Sequence, residues 1–248
     1  MGGNAGDEDY AGRWRQFTRD KFYKEGVVMT AVFTDRKVGW SYECGFGMTN
    51  RSGVVTKSDG VDVYEIDNRP ALEVYNEWTD GKAYDVVREP KAAHGGWLVF
   101  TAQHPLGKPV NSPHGQVGQL VIKVALNKAS LDKKDLPCAA PVEQGSRIWL
   151  LSGSWQALLN RAEYGPRKAM EQGGIASGEQ AFGVGFFCQG AQPMLPPEEL
   201  PKFSLLLNEG TGGAPFIGML TLGEQGPIVP GWKNASANLV QSMVMVGQ

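Results

Sequence analysis

The residues best suited to binding chemistry follow an alternating apolar run, residues 216–222, which is typical of a β-strand. Gly223-Glu224-Gln225-Gly226-Pro227 comes directly after it. Glycine lets a backbone bend sharply or approach a ligand closely, and the proline closes the predicted turn. A carboxylate and an amide held on such a turn could bind a polar small molecule. A plain strand connection with its acid in water fits the same residues, so both interpretations stay open.

A second candidate is the end of the predicted strand 181–188, AFGVGFFC, with Gln189 and Gly190 after it. Alternation places Ala181, Gly183, Gly185 and Phe187 on one face, and Phe182, Val184, Phe186 and Cys188 on the other. The glycine face permits close approach of a helix or a ligand, and a covering helix is the commoner use. Cys188 is predicted to be an inert buried thiol, although it lies at a strand end, where pockets form in α/β sheets.

The histidines offer a weaker signal. His94, His104 and His114 are ten residues apart, which matches neither a zinc finger nor an HExxH helix. His104 precedes a proline in a predicted loop and could ligate a haem iron, but loop histidines are usually solvated. No GxSxG, Walker sequence or spaced carboxylate pair is present, so no catalytic residues are predicted.

The order of strands and helices around these residues predicts an α+β fold, with mixed, largely antiparallel β-sheets layered with a few helices. A helix is expected after Asp67 or Asn68, with Pro70 in its first turn. The last two strands, residues 216–222 and 239–246, are expected to be antiparallel neighbours. Further expectations are strands at 27–34 and 97–102, an irregular loop at 103–115, and a helix from about residue 155 that breaks at Gly165-Pro166.

Composition limits the function classes. The chain has 248 residues, a net charge of −2 and no long Lys/Arg cluster, so nothing favours nucleic acid. It has no run of eighteen apolar residues, so no membrane span is predicted. Three widely spaced cysteines argue against a disulfide framework and fit a reducing cytoplasm.

Several segments together resemble one family. PALEVYNEW at residues 70–78 is similar to the opening of the C-terminal FIST domain, where FIST stands for F-box and intracellular signal transduction. Further matches follow in order: HPLG at 104–107, VEQGSRIWLLSG at 142–153, GFFCQGA at 185–191 and IGMLTLGEQGP at 217–227. Residues 2–7 and 26–46 resemble the end of the N-terminal FIST domain. The resemblance thus divides the chain into a β-rich remnant of that domain, 1–67, and a C-terminal FIST-like domain, 68–248. It further implies that most of the N-terminal domain is missing.

The resemblance implies a cytoplasmic sensory module that binds a small ligand and passes a signal to an unidentified protein partner. Amino acids and related metabolites are the ligands proposed for the family, and some members bind haem and respond to nitric oxide. The predicted ligand-binding set is Thr221, Gly223, Glu224, Gln225, Cys188, Gln189, Gly190 and Asn238, with His104 as the iron ligand if haem is bound. Ala191 stands where the family often has an arginine. A haem-based sensor, a protein scaffold or adaptor without a ligand, and an enzyme acting through Glu224 or Cys188 remain the alternatives.

Overall fold

The structure is a computed structural model that describes residues 1–7, 12–89, 96–111, 117–126, 128–231 and 234–248. The strands in these ranges are β1 Gly2–Gly3, β2 Gln16–Phe17, β3 Phe22–Tyr23, β4 Val38–Glu43, β5 Gly47–Asp59, β6 Asp62–Ile66, β7 Arg69–Pro70, β8 Leu106–Asn111, β9 Val117–Ile122, β10 Leu136–Pro137, β11 Arg147–Ser152, β12 Gln180–Cys188, β13 Phe216–Thr221, β14 Glu224–Pro227, β15 Asn234–Ala237 and β16 Gln241–Gly247. The α-helices are α1 Ala71–Trp78, α2 Lys82–Arg88, α3 Gly96–Gln103, α4 Lys128–Lys133, α5 Trp155–Gln172 and α6 Leu200–Gly210. Short 3-10 helices cover Gln189–Met194 and Pro197–Glu199.

Two large sheets organise these elements. The seven-stranded sheet has the order β10-β6-β5-β11-β8-β9, with β7 paired to β6, and the four-stranded sheet has the order β13-β12-β16-β4. A three-stranded sheet, β1-β14-β15, and the hairpin β2-β3 complete the described strands. Among the pairings within these ranges, β12 with β13 is parallel and the others are antiparallel. The predicted α+β class with largely antiparallel sheets is therefore confirmed.

Three clusters of buried apolar side chains hold the sheets and helices together. The first lies between the seven-stranded sheet and helices α1 to α3. The second joins the two large sheets and the three-stranded sheet, and the third lies between the four-stranded sheet and helices α5 and α6. Strand β4 pairs with β16, and β5 pairs with β11, so both large sheets combine strands from before and after residue 67. The domain division at that residue stays a prediction.

Helix α5 is the main support of the four-stranded sheet. The Ser154 hydroxyl caps it by accepting a 3.2 Å hydrogen bond from the Ala157 N–H. The predicted break at Gly165-Pro166 is wrong, since the helix continues to Gln172. Proline removes one helical hydrogen bond, but the residues on both sides of it, among them Ala162 and Ala169, are buried against the sheet and keep the helix in place.

Other sequence expectations need correction. Residues 97–102 lie in α3 rather than in a strand, because a short apolar run is compatible with a buried helix as well as with a strand. The predicted loop at 103–115 contains β8, which pairs with β9 and β11. Asp67 and Asn68 do not cap α1: they adopt positive φ angles of 51° and 59° in a tight turn, and Pro70 is the N-cap.

The final strands also differ from expectation. Residues 27–34 form no strand and are exposed. The strands β13 and β16 are not neighbours, because β12 lies between them. A helical connection through α6 returns β13 parallel to β12, and this places β13 at the edge of the sheet. Within the described residues, no helix combines the length and the apolar character needed to cross a bilayer.

Candidate functional site

The predicted site residues meet at one end of the four-stranded sheet. Because β12 and β13 run parallel, their carboxyl ends lie together, and Cys188 is the register partner of Thr221. The chain then bends at Gly223, whose φ of 90° suits glycine, and enters β14 at Glu224. The expected turn at residues 223–227 is thus a bend at Gly223 followed by a strand, which pairs with both β1 and β15.

Glu224 is fully buried, with 0% of its surface exposed. Its carboxylate accepts a 2.7 Å hydrogen bond from the Thr221 hydroxyl and a 3.2 Å hydrogen bond from the Val240 N–H. Its backbone carbonyl accepts a 2.8 Å hydrogen bond from the Tyr42 hydroxyl. The acid therefore links β4, β13 and the start of β16, and both carboxylate oxygens already have donors.

Burial raises the pKa of Glu224 to about 7, although several groups oppose the shift. The hydrogen bonds from Thr221, the Val240 N–H and the Cys188 thiol favour the charged form, as does the positive charge of Arg161. The carboxyl group is therefore poised to gain or lose a proton near neutral pH.

Arg161 is the buried cation of this region. It lies on α5, is only 4% exposed, and donates from Nη1 to the carbonyl oxygens of Leu239 at 2.6 Å and Cys44 at 3.1 Å. Burial lowers the pKa of its guanidinium group. Its Nε is buried without a hydrogen-bond partner, as is Oε1 of Gln241, whose Nε2 donates to the Arg161 carbonyl. Helix α5 thus places the positive charge of Arg161 near Glu224.

Cys188 is buried beside Glu224. Burial, together with the nearby Glu224 carboxylate, raises the pKa of the Cys188 thiol, while the backbone N–H groups of Gly223, Leu239 and Gly190 lower it. The prediction of a buried thiol is consistent with its exposure of 7%. These three backbone N–H groups therefore favour the charged form of the thiol, while burial and Glu224 oppose it.

Lys123 lies next to this thiol and was not predicted from the sequence. A methyl group placed on Gly190 would be 3.6 Å from Lys123 Nζ and 3.5 Å from Cys188 Sγ, so both atoms flank that glycine. Lys123 is half-buried, and burial lowers the pKa of its ammonium group. No described residue gives Nζ a hydrogen bond or an ion pair. We call Lys123, Cys188, Gly190, Gly223 and Asn238 the Lys123 cluster.

Asn238 joins the two sides of the Lys123 cluster. Its Oδ1 accepts a 3.2 Å hydrogen bond from the Lys123 backbone N–H, and its own N–H donates to the Val121 carbonyl at 3.0 Å. A methyl group on Gly223 would lie 3.4 Å from Asn238 Nδ2 and 3.3 Å from Asn4 Nδ2. Two side-chain amides therefore surround the bend at Gly223.

Gln225 and Gln189 lie at the margin of the cluster. Neighbouring side chains on a strand point to opposite faces, so Gln225 does not share a face with Glu224 as expected for a common wall. Its Nε2 donates to Asn4 Oδ1 at 2.5 Å. Gln189 is half-buried at the start of the 3-10 helix that follows β12. The assignment of these residues to ligand binding stays a prediction.

His104 lies at a different place, at the end of α3. Its Nδ1 is 2.9 Å from the Phe100 carbonyl, and its ring is 4.5 Å from the ring of Phe100. Burial lowers the pKa of the imidazole, which favours the neutral form that binds metals. With Nδ1 engaged, Nε2 is the nitrogen left for iron, so the residue fits that role chemically. His94 and His114 lie outside the described residues, and those that are described contain no cluster of His, Cys, Asp and Glu suited to a metal.

An apolar groove of about 370 Å³ lies between α6 and β13. It is lined by Phe187, Phe203, Ser204, Leu207 and residues 216–220. Phe187 and Cys188 point to opposite faces of β12, so the Phe187 wall of the groove and the Lys123 cluster lie on opposite sides of that strand. The groove offers contacts for an apolar group and no charged side chain.

Sequence comparison places the chain in a family. The FIST C domain matches residues 71–227 and the FIST N domain matches residues 1–69. The chain therefore belongs to the FIST family, whose domains are sensory domains of signal transduction. Comparison with curated proteins gave no match.

Proposed function

We propose that this chain is a sensory module that binds a small carboxylate-bearing metabolite, with amino acids as the first class to test, at the Lys123 cluster. The observation that carries the proposal is the half-buried ammonium group of Lys123, which has no ion-pair partner among the described residues. A buried charge without a partner is costly, and a bound carboxylate would offset that cost.

The remaining polar groups suit the rest of such a ligand. The amides of Asn238, Gln189 and Gln225 can donate or accept hydrogen bonds at the partly exposed margin of the site. Glu224 lies beside Cys188 and places negative charge near the cluster, where a ligand's ammonium group would benefit from it. A direct contact would require it to give up the Thr221 or Val240 hydrogen bond.

Signal output follows from the same geometry. The Lys123 cluster joins β9, the ends of β12 and β13, and the segment before β16, so a ligand would bridge strands of both large sheets. A ligand that binds one arrangement of these sheets more tightly shifts the population toward it. A protein partner that recognises this arrangement would receive the signal.

A thermal-shift panel of the individual standard amino acids, with haemin as a separate arm, tests the proposal. A ligand at a hundredfold its dissociation constant should stabilise the protein by about 2.7 kcal/mol. Lys123→Met should weaken binding by about 10-fold to 100-fold, because it removes a charge-assisted contact. Lys133→Met is the matched control, since Lys133 is exposed on α4 and should leave binding unchanged.

The stability of Lys123→Met without ligand shows whether this variant is folded. Lys123→Met removes a half-buried charge, so the protein without ligand should be as stable as wild type or more so. Equal affinity in wild type and Lys123→Met would overturn the site. A Soret band on haemin addition that disappears in His104→Ala would instead favour the haem-based sensor, which the free Nε2 of His104 makes the second candidate.

A further inference from the structure

The two faces of the four-stranded sheet are covered differently. On one face, α5 and α6 bury residues such as Met243 and Met245. The other face is defined by the register of the four strands and carries Val38, Trp40, Tyr42, Val246, Val244, Ser242, Phe182, Val184, Phe186, Cys188, Ile217, Met219 and Thr221. Only its end near Tyr42, Cys188 and Thr221 lies under β14.

The rest of this face is apolar, and most of it is open, although Val246 is only 6% exposed. Ile217 is 60% exposed, Val38 45%, and Phe182 and Met219 40% each. Trp40, Val184, Phe186 and Val244 are half-buried between them. We call these eight residues the open face. A sheet face of this composition is normally covered by a second layer.

The charge pattern indicates what kind of layer covers it. None of the thirteen positions on this side of the sheet carries a charge. A two-fold symmetric contact brings the same patch of both copies together, so a charged patch would repel itself and an uncharged one does not. Charge repulsion therefore does not oppose contact between the open faces of two copies.

The area is sufficient for a dimer. The open face exposes roughly 500 Å² of apolar surface per copy, and two such faces reach the lower limit of about 1,000 Å² for a specific interface. Residues 27–34, earlier in the chain than β4, also expose apolar side chains, with Met29 at 86% and Phe33 at 95%.

We propose that two copies of this chain form a dimer by packing their open faces together. The contact makes a β-sandwich, in which the two four-stranded sheets lie about 10 Å apart. The site at the Lys123 cluster lies at the end of the same sheet, so each copy keeps its own site outside the contact.

Sedimentation equilibrium of the whole chain at micromolar concentrations tests the proposal. Wild type should have twice the mass of one chain. Ile217→Glu should sediment as a monomer, because a two-fold contact would bury two like charges. Leu205→Glu is the matched control: Leu205 is 64% exposed on α6, outside the open face, and its variant should remain dimeric.

Folding is checked by circular dichroism, since Ile217 is exposed and its replacement should leave the fold intact. Met219→Glu gives a second position on the same face if Ile217→Glu misfolds. A monomeric wild type would overturn the proposal and show that something other than a second copy covers the face. Dissociation of the Leu205→Glu variant, or a dimeric Ile217→Glu variant, would overturn it as well.

Discussion

At the scale of single residues, the site is built from polar groups in an apolar setting. Arg161 follows Leu158 and Leu159 on the buried side of α5, and Lys123 interrupts the apolar run 121–126. Such interruptions are the sequence signal that could have identified both residues. Glu224 was found from its glycine setting, but its partners could not be predicted, because Tyr42 lies 182 positions away along the chain.

The pH dependence of stability tests the state of Glu224. Its pKa is raised to about 7 in the folded protein, so the folded state holds the proton more tightly than the unfolded chain does. Stability contributed by this group is present below its unfolded pKa and is lost as pH rises to about 7, by about 3 kcal/mol. Glu224→Gln cannot titrate and should lack this loss.

Urea denaturation of both proteins at pH 5 and pH 8 measures the difference. The stability of Glu224→Gln relative to wild type should rise by up to about 3 kcal/mol between these pH values. Both proteins contain the same other titrating groups, so the contributions of those groups cancel in the difference between the two stabilities. A difference that does not change with pH would mean that the acid is not perturbed in the folded protein.

At the scale of elements, close approach of helix and strand decides the packing of α5. A methyl group on Gly39 of β4 would lie 1.8 Å from the Ala169 carbonyl oxygen, and one on Gly173 would lie 2.6 Å from the Gly39 nitrogen. These glycines let the helix and the strand pack with their backbones nearly in contact. The position of the helix over Gln241 and Met243 depends on that contact.

Gly39→Ala should therefore destabilise the protein strongly, by about 3 kcal/mol or more, because backbone atoms cannot move aside as a flexible side chain can. Gly47→Ala is the control, since the nearest atom to a methyl group there is 4.0 Å away, and its stability should change by at most about 0.5 kcal/mol. Urea midpoints of the two variants provide the test. Equal midpoints would contradict the close packing.

Prediction from sequence succeeded where local signals and packing agree. The strands near residues 181–188 and 216–222 have clear local patterns. It failed where packing overrides local preference. Pro166 is kept inside a helix by burial, and β13 pairs through a crossover that no local pattern specifies. The apolar groove and the Lys123 cluster depend on such long-range contacts, so only part of the site could be predicted.

At the scale of the whole molecule, residues 1–67 are part of both large sheets. Strand β5 lies between β6 and β11, and β4 covers the edge of β16. Residues matching the FIST N and FIST C domains therefore build common sheets rather than separate ones.

A fragment of residues 68–248 should consequently fail to fold, because β11, β10 and β16 lose their partners β5, β6 and β4 at once. A fragment that starts at residue 37 keeps β4 and β5 and should retain cooperative unfolding. Circular dichroism and thermal melting of the two fragments give the comparison. A cooperative melt of 68–248 would show that the division at residue 67 separates an independent domain.

Amide NMR mapping of the whole chain, during titration with the amino acid that stabilises it most, locates the ligand on the structure. We expect the largest shift changes at Lys123, Gly190, Gly223 and Asn238, and we expect them to vanish in Lys123→Met. Shift changes confined to Phe203, Ser204 and residues 216–220 would place the ligand in the apolar groove and contradict the Lys123 cluster as the binding site.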